Sequence, residues 1–116
     1  MNIITNYLSE KKDVVRANNS VNTVKEIIDK PFICNGVLVF EKDGENEKGE
    51  VVTNTVIALK DSTTGEFYTS ISPTVLSSTQ AIIEAYEKEE ILSGIEVVVK
   101  SKKSNNDRDF YYIDLV

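Results

Sequence analysis

FICNGVLVFEK (32–42), DGENEKGE (43–50), VVTNTVIALKD (51–61), STTG (62–65) and EFYTSIS (66–72) follow one another without a gap. The first, third and fifth pieces are rich in β-branched and aromatic residues, and the pieces between them are polar and carry glycine. That texture predicts three strands joined by short turns, and therefore antiparallel hairpins. Gly36 falls inside the first of these strands. A glycine there usually marks a bulge or a sharp bend.

Downstream, Ser72 is placed to cap a helix and Pro73 suits its first position. Val75, Leu76, Ile82, Ile83 and Tyr86 supply an apolar face. Ser77, Ser78 and Thr79 lower the propensity, so the pattern predicts one short turn and a restart near Thr79. The helix is expected to run into Glu87-Lys88-Glu89-Glu90 and to stop at Ser93-Gly94. Acids at that end would oppose the helix dipole at a modest energy. Ile95, Val97 and Val99 alternate as a fourth strand. SKKSNNDRD (101–109) reads as a polar, basic loop, and FYYIDLV (110–116) as a fifth strand with Tyr111, Ile113 and Leu115 on one face.

Upstream, Ile3, Ile4, Tyr7 and Leu8 recur at helical spacing and Lys11 continues that face. Asn18-Asn19-Ser20 breaks the pattern. Thr23 with Glu26 forms a capping-box signature that opens a short helical turn through Ile28, ended by Pro31. The resulting order is strand, strand, strand, helix, strand, strand. It predicts a mainly β chain: a five-stranded OB-type Greek-key barrel with a helix between strands three and four, preceded by a helical N-terminal segment. Residues 1–30 are read as a helical or irregular extension and 31–116 as the OB-fold domain.

The chain has 116 residues, enough for one domain, and 41% of them are apolar. No apolar run approaches the ~20 residues of a membrane span. The N-terminus lacks the basic-then-apolar pattern of a secretory signal, so a cytoplasmic location and no membrane partner are expected. The single Cys34 cannot close an internal disulfide and lies in an apolar strand, which predicts a buried free thiol. There is no histidine, and with it go the commonest general base and metal ligand. CxxC, HExxH and glycine-rich phosphate loops are also missing. The acids Asp43, Glu45, Glu47 and Glu50 are only loosely calcium-like and read as a solvated hairpin turn. No catalytic residue, cofactor or metal is therefore expected.

The net charge of −6 argues mildly against a nucleic-acid partner, but charge is segregated along the chain. Lys100, Lys102, Lys103 and Arg108 gather around the loop between the last two strands, against Asp107 and Asp109. OB folds hold oligonucleotides across strands two and three with rims at the flanking loops. Single-strand binders combine backbone-tracking cations with aromatics on which bases stack. Alternation turns Tyr111, Ile113 and Leu115 inward on the fifth strand and leaves Phe110 and Tyr112 outward. On the third strand it turns Phe67, Thr69 and Ile71 inward and Tyr68 outward. On the second it makes Ile57 and Leu59 core, with Asn54, Val56, Ala58 and Lys60 on the outer face. The candidate nucleic-acid-binding residues are thus Lys60, Tyr68, Lys100, Lys102, Lys103, Arg108, Phe110 and Tyr112. Each aromatic has a competing role, packing under the N-terminal segment or in a dimer contact. Each lysine of the loop has another as part of a solvated tip turned by Asn105-Asn106. The acidic balance also leaves open a module that binds another protein rather than nucleic acid.

Gly36-Val37-Leu38-Val39-Phe40, Gly49-Glu50-Val51-Val52, Tyr68 through Val75 and the closing Phe110–Val116 strand carry a resemblance. Over about the last two-thirds of the chain the sequence resembles the small single-stranded DNA-binding proteins of tailed phages that infect low-GC Gram-positive bacteria. The resemblance implies an OB fold and sequence-independent binding of single-stranded DNA. It implies a role in replication or recombination in the infected cytoplasm, with replication or recombination proteins as further partners and a homodimer or larger form. The chain ends on a strand rather than an acidic tail, so recruitment of partners through such a tail is not expected.

Overall fold

A computed structural model describes residues 1–116. The elements in chain order are β1 (Asn2–Tyr7), α1 (Lys11–Asn19), a 3-10 turn (Val24–Ile27), β2 (Phe32–Glu45), β3 (Val51–Asp61), β4 (Phe67–Ser70), α2 (Pro73–Ala85), α3 (Lys88–Ser93), β5 (Ile95–Lys103) and β6 (Asp109–Leu115). The strands form one six-stranded antiparallel sheet in the order β4-β3-β2-β5-β6, with β1 on β2. No helix is long and apolar enough to cross a membrane.

β2 organises the sheet. Its start, Phe32–Cys34, pairs with Ile95–Val97 of β5, and from Gly36 onward it pairs with β3 out to Glu45↔Val51. The register shifts between Cys34 and Gly36, the bulge expected at the glycine. β5 leaves β2 after Cys34, which strips that edge of partners. β1 fills it, from Tyr7↔Val37 to Asn2↔Glu41. This corrects the helix expected at residues 3–11. Ile3, Ile4 and Thr5 are β-branched, and a vacant row of β2 backbone groups decides in favour of a strand. Helix begins only at Lys11.

The sheet is buried on both faces around β2, β3 and β4. Val37, Val39, Ile57, Leu59, Val97 and Val99 pack with Val75, Ile82 and Ile91 of α2 and α3 on one side. Leu38, Phe40, Ala58 and Phe67 pack with Leu8 and Ala17 on the other. The outer face of β3 is therefore not open: Ala58 is fully buried and Val56 packs under the same cover. α1 provides that cover through Val14 and Ala17.

Two further differences concern the helices. The long helix breaks at Tyr86, which is extended, and α3 restarts with Glu87 as its N-cap and a reciprocal Glu87/Glu90 capping box. The acids that seemed to oppose a dipole thus stand at the start of a new helix, where they are favourable. Nor does α2 falter at its hydroxyl run. Thr79 Oγ1 donates to the Val75 carbonyl at 2.9 Å, and Ser78 Oγ donates to the Thr74 carbonyl at 2.8 Å.

Gly94 ends α3 with φ 106°, and a Cβ built there would sit 2.7 Å from Ile33 Cγ2. Relieving that overlap requires Ile33 or the local backbone to shift. Gly94→Ala is expected to destabilise by about 1–3 kcal/mol, from backbone strain plus overlap. A urea-unfolding midpoint lowered at constant slope checks it; an unchanged midpoint contradicts it.

Candidate nucleic-acid interface

β5 and β6 form a hairpin that runs past the core. Their register pairs Lys100 with Tyr112 and Lys102 with Phe110. Residues directly opposite in an antiparallel pair share a face, as do residues two apart on one strand. Lys100, Lys102, Phe110 and Tyr112 therefore make one patch of two cations and two rings. The rings lie 6.3 Å apart, tilted by 39°, and both are partly exposed. The opposite face of the same hairpin carries Tyr111 and Ile113, which pack on the core. The expected alternation holds: Leu115, opposite Val97, shares this face, although at the end of the strand it is 42% exposed.

The cations of the hairpin are weakly engaged. Lys100 Nζ lies 3.5 Å from Asp29 Oδ1 and Lys103 Nζ lies 3.7 Å from Asp107 Oδ1, both pairs well exposed. Such surface pairs contribute little and are readily exchanged for another anion. Lys102 and Arg108 have no acidic partner within ion-pair distance. The tip is closed by Ser104 N donating to the Arg108 carbonyl at 2.9 Å and Asp107 N donating to the Ser104 carbonyl at 3.0 Å.

Lys60 and Tyr68 lie elsewhere. Lys60 Nζ donates to Asp13 Oδ2 at 3.0 Å, beneath α1, where the Asp13 carboxylate is 1% exposed. The expectation of a Lys60 free on an outer face is corrected: the ammonium already has a counterion. Tyr68 pairs with Leu59, and Phe67 with Lys60. This reverses the expected orientations. Phe67 is buried under α1, while Tyr68 turns to the face of Leu59 and lies 6.1 Å from the Phe32 ring. With both faces of the sheet covered at β4, an apolar residue there finds a core either way. The Tyr68 hydroxyl donates to Glu66 at 3.4 Å. Burial, then the Glu66 and Asp61 carboxylates, raise its pKa. The structure brings Lys100, Lys102, Phe110 and Tyr112 together, with Lys103 and Arg108 near them at the tip, and leaves Lys60 and Tyr68 apart from them.

Sequence reasoning passed over Lys25. Its ammonium stands 5.6 Å from the centre of the Tyr111 ring, a cation–π contact between distant parts of the chain that no local pattern signals.

Cys34 is 1% exposed and its thiol donates to the Gly36 carbonyl at 3.3 Å. Burial above all pushes its pKa from 9.0 to about 11. Folding therefore favours the neutral thiol. That contribution is complete below pH 9 and is lost as the pH rises from 9 towards 11, because the unfolded thiol ionises first. Cys34→Ser is expected to flatten this part of the stability–pH curve; an unchanged decline would assign it to other groups.

No curated protein and no solved structure matches the chain. A family model described as "Phage Single-stranded DNA-binding protein" matches residues 10–116, nearly its whole length. By that match, the chain belongs to the phage single-stranded DNA-binding protein family.

Proposed function

We propose that the β5–β6 hairpin is where this single-stranded DNA-binding protein holds its ligand, without regard to sequence, during phage DNA replication or recombination in the infected cytoplasm. The observation that carries the reading is the register that sets Lys100 and Lys102 directly across from Tyr112 and Phe110. Every base has a stacking face, so a pair of rings holds bases without reading them. The lysines, with Arg108 and Lys103 at the tip, follow the phosphates. Lys60 and Tyr68 contribute indirectly in this reading, through the packing of α1 and of Phe32.

The architecture fits an OB-type Greek-key barrel formed by β2–β6. β2 bends at Gly36 to serve both β3 and β5, and the helices intervene between β4 and β5. Residues 1–30 act as an extension docked on that 31–116 unit, chiefly through β1 on β2. Replication or recombination proteins and a second copy of the chain are the further partners this role entails.

Fluorescence anisotropy of a labelled oligo-dT, titrated with the protein at two salt concentrations, tests the reading against a duplex of equal length. Saturable binding to the single strand alone is expected. Its log–log salt slope should lie at about −2 to −3, since each phosphate contact adds roughly −0.7 and the hairpin offers three or four cations. Absence of single-strand binding at low salt would overturn it and leave a protein partner as the ligand.

A further inference from the structure

The strand order ends on β4 at one side and β6 at the other, and these two strands do not pair. Their facing backbone groups are satisfied by other partners. The Thr69 amide and hydroxyl both donate to the Asn22 carbonyl at 3.0 Å. On β6, the Tyr111 carbonyl accepts from Thr74 Oγ1 at 2.6 Å, and the Ile113 amide donates to Ser78 Oγ at 2.9 Å. The seam thus stays open without stranding these partly buried polar groups.

The open seam holds a cleft of about 560 Å³, within the ~300–1,000 Å³ usual for small-molecule sites. Ser70 and Ile71 line one side of it, Phe110 and Tyr111 another, and Lys25 a third. Ile71 is 63% exposed, a large apolar side chain left in water at a concave surface. Lys25 is the cleft's one cation and rests on the Tyr111 ring; Asp109 is its one acid. The chemistry on offer is an apolar and aromatic surface for a flat ring, hydroxyls for its polar edge and an ammonium for a phosphate. A nucleotide has those three parts. Phe110 belongs both to this lining and to the hairpin patch, so the cleft lies next to that face at the start of β6.

We propose that the cleft between β4 and β6 takes one nucleotide of the bound single strand, its base against the exposed Ile71 and its phosphate on Lys25, which the Tyr111 ring holds in place. This rests on the hairpin reading and extends the path of the strand from the hairpin into the seam.

Oligo-dT affinity and its salt slope, measured by anisotropy for wild type and four variants, test the proposal. Lys25→Ala removes the phosphate partner and Ile71→Glu places a carboxylate in the cleft. Lys48→Ala in the β2–β3 turn and Val51→Glu at the first residue of β3 make the same charge changes at two exposed side chains. Lys25→Ala is expected to lower the magnitude of the slope by about 0.7 relative to Lys48→Ala. Ile71→Glu should weaken binding about tenfold beyond Val51→Glu, within the range one stacked base supplies. All four sites are exposed, and thermal melts confirm that each variant is folded. If wild type binds and the cleft variants match their controls, the cleft carries no nucleotide while the hairpin reading stands. If wild type fails to bind the single strand, both fall together.

Discussion

Replacing Phe110 and Tyr112 together with alanine is expected to weaken oligo-dT binding by about 2–4 kcal/mol, or roughly 30- to 1,000-fold. Each stacked base contributes ~1–3 kcal/mol by alanine substitution. The two rings lie 6.3 Å apart on one face, close enough for their effects to be less than additive. Neither ring belongs to either buried cluster, so the variant should fold, losing at most the ~0.2–1 kcal/mol of each cross-strand pair. Tyr68→Ala is the informative contrast. That ring packs on Phe32 and the core, so its loss should lower stability and leave the affinity of the folded protein within about twofold. Anisotropy titrations at one salt concentration, beside urea unfolding of the same samples, separate the two effects. Unchanged affinity in the double variant would remove the hairpin face from the account.

Phe40→Ala should destabilise the fold by about 3–5 kcal/mol, a large share of the ~5–15 kcal/mol that holds a typical domain. Phe40 is 1% exposed and lies on the side of β2 away from the α2 and α3 core, among Leu38, Ala58, Phe67, Leu8 and Ala17. A sheet with one face in water would lose little from a change on that side. The expected loss therefore measures how firmly the N-terminal segment covers the second face. Urea unfolding with an unchanged slope and a much lower midpoint is the predicted result. A loss below about 1 kcal/mol would mean that α1 and Leu8 do not bury this face in solution.

Much of the sheet was legible because its signals are local. The strand expected at 51–61 is β3, residue for residue, and the bulge at Gly36 lies where a mid-strand glycine suggested. The Thr23/Glu26 capping box forms and opens the 3-10 turn. Phe110 and Tyr112 were sorted outward correctly because β6 is buried on one side only, whereas Lys100 and Lys102 stood out by charge alone, in a stretch read as loop from Ser101 that β5 in fact extends through to Lys103. β4 has apolar cover on both sides, and the same rule exchanged Phe67 with Tyr68. β1 was misread because Ile3, Ile4, Tyr7 and Leu8 fit helical spacing as well as a strand; the choice depended on a vacant edge of β2, distant in sequence. Lys60 was assigned to an open face for a similar reason: its counterion, Asp13, comes from a helix whose packing on β3 has no local signature.

The most direct measurement of where the strand lies is a two-dimensional amide NMR titration of the labelled protein with oligo-dT. The account predicts the largest shifts at Lys100–Lys103 and Arg108–Tyr112, extending to Ile71 and Lys25 if the seam is occupied, with α1 and the β2–β3 turn unmoved. Shifts concentrated instead on α1 and β3, with the β5–β6 hairpin silent, would contradict it.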